Sequence, residues 1–497
     1  MGRSVLLHER GPSGSRDVGA RPGKRPPRGF RRASSVKVAL AVTLLGAALP
    51  GAGYLWTRRR LGYAVLLPSL GAVVVLVVYA QDLRSLLDIA FDPARLRTVA
   101  VMTSAGFAVW AFTVVTTFLM ARPVGTRPLH TRLGVAAACL LCVAVALPVA
   151  QAVQTARTQA DLVAHVFENN RSATAPSDAT QEDPWGGRQR VSVLLLGGDG
   201  AVGRDGMRTD TMILLSADTQ TGKAVMFSLP RNMMNAQFPE DSPLHDVFPE
   251  GFTGDGDPGG WMLNAVYGQV PVMYPGLLGT SDNEGADALK QAVEGSLGTE
   301  VDYYVLVNLL GFQQIVDAMG GVTVNINEPV AINGDTDRGI PPTGYLEPGP
   351  DQHLNGYEAL WYTRGRWGSD DYERMLRQRC MVDALVDEAN PFNLLRRYQA
   401  LARAGQDIVR TDIPRHLLPA FVNLGLKMKD QKLRSIAFVS SDQFFSGDPD
   451  FAWMQSVVDR ALGPRERRGG DGPEDPGKAV RVSDTCGYHP VVGASAP

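Results

Sequence analysis

Charged residues follow an apolar run that ends at residue 198. In GGDGAVGRDGMRTDTM, Asp199 follows the run VSVLLLGG and Asp210 precedes the next apolar run, with Arg204 and Arg208 between them. Two carboxylates can share one hard cation, and arginines can hold phosphate oxygens. Ligands of α/β sheets bind outside the carboxyl ends of strands. Taken alone, the two aspartates could equally be acidic residues of ordinary turns, but more charged residues follow along the chain.

Two later segments add arginines and contain no lysine. SLPRN places Arg231 after another apolar run. The segment YTRGRWGSDDYERMLRQR sets five arginines beside Asp370 and Asp371: Arg364, Arg366, Arg374, Arg377 and Arg379. Spacings of three and four residues predict that Arg374, Arg377 and Gln378 share one face of a helix starting near Asp371. Planar guanidinium groups suit pyrophosphate better than lysines do.

Several common catalytic motifs are absent from the sequence. There is no P-loop, no GxSxG and no HExxH, and the seven histidines have no ligand spacing. Cys139 and Cys142 lie in an apolar run, whereas Cys380 and Cys486 either pair, if this part is exported, or leave Cys380 as a core residue. Metal- and arginine-assisted phosphoryl transfer is the chemistry that these residues support.

The elements that must position these residues are short strands and helices. Apolar runs predict strands at 191–198, 211–219, 223–230, 301–308 and 322–326. Helical periodicity covers 286–298 and 309–321. This alternation predicts an α/β domain with three α/β/α layers, and the second and third strands form a hairpin at the side of the sheet. Residues 235–285 are rich in Pro, Gly and Asp and predict a long, partly irregular insertion.

The front of the chain is a basic tail followed by apolar stretches at 37–57, 62–80, 98–120 and 133–153. The tail suits a cytoplasmic topogenic signal better than a nucleic-acid arm, because apolar segments follow directly. The first stretch is interrupted by Pro50 and followed by Arg58–Arg60, so we expect it to dip into the membrane and return. Three crossings then keep the arginine-rich loops inside and place the globular domain outside.

We therefore divide the 497 residues into six parts. They are a disordered basic cytoplasmic tail (1–36), a membrane region (37–153), a linker (154–190), an α/β catalytic domain (191–390), a helical extension of that domain (391–465) and a disordered tail (466–497).

Six blocks resemble the LytR-CpsA-Psr family of cell-wall assembly proteins. They are, in order, VSVLLLGGDG, RTDTMILLSAD, SLPRN, LLGFQQIVDAMGGVTVNI, HLNGYEALWYTRGR and SDDYERMLRQR. The resemblance covers about residues 190–390 and implies an extracytoplasmic α/β/α domain preceded by transmembrane helices. Such a domain holds a polyprenyl-pyrophosphate chain in an apolar pocket and the pyrophosphate among arginines and Mg²⁺ or Mn²⁺.

The resemblance also implies roles for individual residues. Asp199 and Asp210 would hold the metal. The pyrophosphate would be held by Arg208, Arg231, Arg364, Arg366, Arg374 and Gln378. Arg231 would also act in catalysis, and Asp371 would either orient an arginine or help to deprotonate the acceptor hydroxyl.

The implied reaction moves a glycopolymer phosphate from a polyprenyl-pyrophosphate carrier to a peptidoglycan hydroxyl at the cell membrane. Its partners are the lipid-linked glycopolymer, peptidoglycan and the bilayer, with no nucleic acid. The sequence departs from the family at Asn232, where Asp is usual. That departure keeps open an alternative, a non-catalytic membrane protein that binds lipid-linked glycans as a scaffold or regulator.

Overall fold

The computed structural model describes residues 31–81, 89–90, 92–124, 128–166, 171–198, 209–334, 339–388, 409–463 and 479–489. Contacts divide the chain into two compact units. The first comprises residues 1–76 and 105–148, and the second comprises residues 77–104 and 149–497.

The N-terminal region is helical. Its helices are α1 (Val36–Ala48), α2 (Ala52–Thr57), α3 (Arg59–Gln81), α4 (Pro93–Ala121) and α5 (Pro128–Val166). By length and composition, three stretches in the described residues are able to cross a membrane: Arg60–Val78, Pro93–Ala121 and Pro128–Asp161. These apolar helices suit a membrane anchor.

The α1–α2 segment has its two ends side by side. The backbone N–H of Arg31 donates to the carbonyl of Thr57 at 3.2 Å, and the Arg31 guanidinium lies 4.8 Å from the Trp56 ring. Between the helices, Gly51 has a φ of 99°, which turns the chain back. The 13 residues of α1 extend about 20 Å, less than the roughly 30 Å of a hydrocarbon core. The α1–α2 segment therefore turns back on itself.

The second unit is built on a seven-stranded mixed sheet in the order β11-β10-β3-β2-β1-β4-β9. Its strands are β1 (Arg190–Gly198), β2 (Thr209–Asp218), β3 (Ala224–Ser228), β4 (Tyr303–Asn308), β9 (Val409–Thr411), β10 (Arg434–Ala437) and β11 (Val480–Arg481). β1 is parallel to β4, and β3 is parallel to β10. The β2–β3 hairpin was expected at the side of the sheet, but it lies inside, because β10 and β11 extend the sheet beyond β3.

Helices cover both faces of this sheet, which confirms the α/β/α prediction. Leu194 and Leu196 face one core, and Val191 and Val193 face the other, as the two-residue period of a strand requires. The first core packs under α7 (Leu263–Met273), α8 (Glu284–Leu297) and α13 (Phe451–Leu462), and the second packs under α12 (Leu418–Lys429).

A third cluster of buried apolar residues lies beside the main sheet. It joins α9 (Leu309–Met319), α10 (Gly356–Arg364) and α11 (Asp371–Glu388) to two small sheets. One sheet pairs β5 (Val322–Ile326) with β8 (Gly349–Leu354), and the other pairs β6 (Val330–Ile332) with β7 (Gly344–Leu346). The predicted strand 322–326 is thus present but lies outside the main sheet. The predicted insertion 235–285 contains α6 (Pro243–Val247) and α7.

The linker prediction for 154–190 is wrong in its second half. Residues 171–189 pack on the domain: Asp287 accepts hydrogen bonds from Ser172 Oγ (2.5 Å), Ala173 N (3.0 Å) and Thr174 Oγ1 (2.7 Å). The Trp185 ring contacts the Phe421 ring edge-on at 5.1 Å. A polar, turn-rich sequence resembles a spacer, but its side chains here satisfy a buried carboxylate.

The predictions for the C-terminal parts also need correction. The extension 391–465 is not only helical, because it supplies β9 and β10 to the sheet. Residues 479–489 of the predicted disordered tail form β11 and α14 (Val482–Thr485). A disulfide between Cys380 and Cys486 fixes this segment to α11. Strands of two to four residues carry too little periodicity to be detected from sequence.

A fully buried ion pair joins α8 to the β4–β9 edge of the sheet. Lys290 Nζ lies 2.8 Å from Asp412 Oδ2 and donates to the carbonyl of Asp302 at 2.8 Å. The other carboxylate oxygen, Asp412 Oδ1, accepts from the Tyr304 backbone N–H at 2.7 Å. Lys290 is 0% exposed and Asp412 is 1% exposed, so each charge depends on the other.

We expect Lys290→Met to lower the free energy of unfolding by about 3–5 kcal/mol, because it leaves the Asp412 carboxylate buried and unpaired. Denaturant unfolding followed by circular dichroism measures this loss. The exposed Lys432→Met variant is the control and should change stability by less than about 0.5 kcal/mol. An equal effect of the two substitutions would contradict a structural role for the pair.

We expect Cys486→Ser to destabilise the domain by about 2–5 kcal/mol, because the disulfide closes a chain segment with a sequence separation of 106. Limited proteolysis should then cleave within 479–489 first, since the covalent link to α11 is lost. If residues 479–489 were as resistant to proteolysis as they are in the parent chain, the expectation would be contradicted.

Candidate functional site

A cavity of about 470 Å³ opens at the edge of the sheet where β1, β3 and β4 end. Its walls come from the ends of β1 and β3, the start of β2 and the α10–α11 region. They are lined by Gly197, Gly198, Asp210, Thr211, Arg231, Asn232, Leu309, Gly334, Leu360, Trp361, Thr363, Arg364, Arg366, Trp367, Ser369, Asp371, Arg374 and Gln378. The cavity therefore lies where the site was predicted from sequence, at the carboxyl ends of strands.

Arg231 joins two carboxylates from different elements. β3 ends at Ser228 and Pro230 follows, which brings Arg231 to the sheet edge. Its Nη1 donates to Asp210 Oδ1 at 2.8 Å, and its Nε lies 3.6 Å from Asp371 Oδ1. The side chains of Arg231 and Asp210 are 27% and 32% exposed, so this ion pair is open to a ligand yet partly shielded from water.

Arg374 forms the inner wall and is 3% exposed. Its Nη2 donates to the Asp210 carbonyl at 3.2 Å and lies 2.9 Å from Asp371 Oδ1. Burial lowers the pKa of Arg374 to about 10, and the negative charge of Asp371 opposes this shift. The guanidinium therefore remains charged at neutral pH and presents a desolvated positive charge to the cavity.

Several buried polar groups in this wall have no hydrogen-bond partner among the described residues. They are Arg374 Nε, Trp361 Nε1 and both carboxylate oxygens of Asp371. The 2.9 Å approach of Arg374 to Asp371 is a contact between charges without the alignment of a hydrogen bond. Buried polar groups are almost always satisfied in folded proteins. A polar ligand in this cavity would supply the missing hydrogen-bond partners of these groups.

Arg364 and Arg366 lie at the mouth of the cavity on the segment that joins α10 to α11, and both are exposed. The Arg364 guanidinium lies 5.8 Å from the centre of the Trp361 ring, a cation–π contact that limits its movement.

Arg377 does not line the cavity, contrary to the prediction that it shares a face with Arg374 and Gln378. It donates instead to the carbonyls of Tyr362 (2.8 Å) and Gly365. Successive helical residues are rotated by about 100°, so Arg377 and Gln378 point in different directions. Through these two carbonyls, Arg377 holds the segment between α10 and α11 in place.

The structure brings together every predicted site residue that lies in its described part. These are Asp210, Arg231, Arg364, Arg366, Asp371, Arg374 and Gln378. Asp199 and Arg208 lie outside the described residues. Trp361 and Trp367 also line the cavity and were not predicted, although their position among the arginines of WYTRGRW was a usable signal.

Asn232 replaces the aspartate usual in the family without leaving Arg231 unpaired. Its Nδ2 donates to Ser446 Oγ at 3.2 Å, which ties the loop after β10 to the cavity wall. Asp210 and Asp371 supply the negative charges beside Arg231. Orientation of this arginine therefore does not depend on a carboxylate at position 232.

The fit of a divalent cation can be judged from the acids that line the cavity. No group of three or more His, Cys, Asp or Glu residues suited to a metal occurs in the described part of the chain. Mg²⁺ commonly uses one or two carboxylates together with substrate phosphates and water. Asp210 lines the cavity and would contribute one such carboxylate, beside the phosphates of a bound substrate.

We expect Arg374→Lys to weaken the binding of inorganic pyrophosphate by about 10- to 100-fold, because lysine lacks the guanidinium fork and its several donors. Isothermal titration calorimetry of the full chain in detergent measures the affinity. Arg460→Lys, an exposed arginine on α13, is the matched control and should bind like the parent. A parental affinity in Arg374→Lys would show that the anion binds elsewhere.

Comparison with known proteins identifies relatives of this chain. A teichoic acid transferase of Bacillus cereus, named polyisoprenyl-teichoic acid–peptidoglycan teichoic acid transferase TagU, is 29% identical over 239 residues, 48% of this chain and 65% of that protein. The cell wall biosynthesis protein LcpA of Corynebacterium glutamicum is 30% identical over 194 residues, 36% of this chain and 32% of that protein. The chain thus spans less than two thirds of the length of either.

Solved structures give weaker similarity. The crystal structure of Bacillus subtilis TagV is 23% identical, covers 55% of this chain and 97% of its own, and has a TM-score of 0.38.

The sequence profile of the LytR_cpsA_psr family matches residues 153–455, which extends beyond the 190–390 of the resemblance and includes β9, β10 and α12. The match spans more than half of the chain and contains every described residue that lines the arginine-rich cavity. The chain therefore belongs to the LytR_cpsA_psr family.

Proposed function

We propose that this protein transfers a glycopolymer, through its phosphate, from a polyprenyl-pyrophosphate carrier to a hydroxyl group of peptidoglycan. The observation that carries the proposal is the cavity in which Arg231, Arg364, Arg366 and Arg374 face Asp210 and Asp371. The names of the relatives from Bacillus and Corynebacterium, a teichoic acid transferase and a cell wall biosynthesis protein, support the same class of reaction.

The arginines would bind the two phosphate groups. Arg374 is buried and preoriented by the Asp210 carbonyl, so it supplies a positive charge in a poorly hydrated wall. Arg231 lies between both carboxylates and stabilises negative charge that develops on the transferred phosphate. The exposed Arg364 and Arg366 would hold the outer phosphate at the mouth of the cavity.

The reaction exchanges one P–O bond for another. The acceptor hydroxyl oxygen attacks the phosphorus next to the glycan, the bond to the bridging pyrophosphate oxygen breaks, and polyprenyl phosphate leaves. Asp371 would accept the hydroxyl proton, because its carboxylate lines the cavity beside Arg231 and Arg374, the residues that would bind the phosphates. No ATP is consumed, since the pyrophosphate bond drives the transfer.

A divalent cation, Mg²⁺ or Mn²⁺, is part of the proposal. Asp210 and, as predicted from sequence, Asp199 would hold it together with substrate phosphate oxygens. When bound, the cation would neutralise charge on the pyrophosphate. The chain's own contribution is to keep Asp210 fixed through its 2.8 Å contact with Arg231.

The proposed location is a cell membrane, with three crossings and the domain on the extracytoplasmic side. Two contacts support this topology. Arg31 meets Thr57 beside Arg58, so the first apolar segment returns to the side of the basic tail. Asp161 near the end of α5 pairs with Arg97 at the start of α4 (3.3 Å), so the loop before α4 and the domain after α5 lie on one side. Arginine-rich segments then lie inside.

The test is a transfer assay with the full chain in nanodiscs, a polyprenyl-pyrophosphate oligosaccharide, a peptidoglycan acceptor and Mg²⁺. We expect wall-linked product from the parent chain. Asp371→Asn should lower kcat by about 100- to 10,000-fold with little change in the donor KM, because it removes a proton acceptor and retains the shape of the site. Arg460→Ala on α13 serves as the control with parental activity.

The other outcomes separate the alternatives. Tight donor binding without product, with any divalent cation, would favour a scaffold that binds lipid-linked glycans. Release of free glycan phosphate would indicate that water is the acceptor. A parental kcat in Asp371→Asn would remove this carboxylate from the proton transfer.

A further inference from the structure

An exposed apolar segment comprises the last two residues of α7 and the turn that follows it. In the segment VMYPGLL, residues 272–278, Val272 is 80% exposed, Met273 36% and Tyr274 37%. Leu277 and Leu278 in the same turn are partly buried against the main core. Single exposed apolar residues are common on protein surfaces, but three in succession form a patch of the kind that contacts a partner or a membrane. We refer to residues 272–278 as the apolar turn.

The apolar turn is held in place and is not a loose loop. The Tyr274 ring packs edge-on against the buried Phe248 ring at 5.6 Å. The backbone N–H of Gly276 donates to Glu284 Oε2 at 2.9 Å, and that of Leu277 donates to the Tyr274 carbonyl at 3.3 Å. The domain therefore presents these apolar side chains in a fixed position.

The apolar turn lies next to the segment by which the domain joins its membrane helix. Beyond the turn, Asp282 accepts hydrogen bonds from the Arg171 backbone N–H (2.9 Å) and from Arg171 Nη2 (2.9 Å). The Asp282 N–H donates back to the Arg171 carbonyl at 2.9 Å. Gly279 is also close to this segment, since a Cβ there would lie 3.7 Å from Ala173 Cβ.

Chain length limits how far this region can be from the bilayer. Asp161 of α5 pairs with Arg97, which directly precedes the apolar part of α4, so Asp161 lies near the membrane surface. Gln159 Nε2 donates to the Ala90 carbonyl at 2.6 Å, which is a second contact between the end of α5 and the segment before α4. From Asp161, about 8 Å of helix and at most about 17 Å of chain lead to Arg171. Arg171 therefore lies within about 25 Å of Asp161, and the end of the apolar turn lies beside residues 171–173.

The chemistry of the apolar turn matches a lipid surface. Valine and methionine gain by leaving water, and tyrosine places its ring among acyl chains and its hydroxyl among headgroups. Arg171 is 72% exposed and can reach headgroup phosphates along its apolar stem. Of the nearby acids, Asp282 is paired with Arg171 and Glu284 is bound by Gly276, whereas Asp246 and Glu250 remain exposed to solvent.

We propose that the apolar turn docks in the headgroup region of the leaflet from which α5 emerges and thereby fixes the domain to the membrane at a second point. This goes beyond the proposed function and depends only on α5 spanning the membrane. Docking would hold the domain beside the surface in which a lipid-linked donor resides, instead of leaving it to move on a single helix.

The test places a fluorescent reporter on the apolar turn of the full chain. Val272→Cys carries the environment-sensitive dye NBD in a Cys139→Ala, Cys142→Ala background, with the Cys380–Cys486 disulfide intact. Nanodiscs of phosphatidylcholine with one quarter phosphatidylglycerol hold one copy each and contain doxyl-labelled lipid as quencher. Phe445→Cys, at a residue that is 62% exposed, carries the same dye as the control.

We expect doxyl lipid to quench the dye at position 272 at least about threefold more strongly than at position 445, with a blue-shifted emission at position 272. Unfolding temperatures equal to that of the parent chain would establish that both labelled variants are folded. Equal quenching at the two positions, or a solvent-like dye at 272, would overturn the proposal. A blue shift without quenching by lipid would indicate a protein contact and would also overturn it. Since the assay contains no glycan substrate, its result is independent of whether transfer occurs.

Discussion

Two guanidinium groups held between two carboxylates are the interaction on which the site depends. Arg231 and Arg374 both approach Asp371, and Arg231 also pairs with Asp210. Like charges this close would repel in a poorly hydrated wall without the acids between them. The carboxylates therefore permit the arginines to converge, and the arginines in turn hold the Asp371 carboxylate in place.

This arrangement requires three separate parts of the chain to meet at one sheet edge. Asp210 comes from the start of β2, Arg231 from the end of β3 and Asp371 from the first turn of α11. The sheet fixes the first two, because neighbouring strands are held in register by their hydrogen bonds. α11 is fixed from its other end by the disulfide to Cys486 and by its packing in the third apolar cluster.

The membrane anchor and the domain are linked by segments that look like spacers in sequence. Residues 171–189 satisfy the buried carboxylate of Asp287 and pack Trp185 on the second core. The domain is thus bound closely to the chain that leaves α5. For the proposed transfer from a lipid-linked donor, this attachment of residues 171–189 shortens the free chain between α5 and the domain and so limits how far the cavity can move from the lipid.

The sequence alone determined the α/β class, four of the main strands of the sheet, the apolar helices and the charged residues that line the cavity together with Gln378. These predictions succeeded because apolar periodicity and clustered arginines are local signals. It could not distinguish Arg377, which supports a loop, from Arg374, which lines the cavity. It also could not place β10 and β11 beyond the β2–β3 hairpin, order the tail around Cys486 or pair Lys290 with Asp412. Tertiary structure decided these features, because they depend on contacts between residues distant in sequence, and short strands and single buried charges become stable only when the packed sheet supplies their partners.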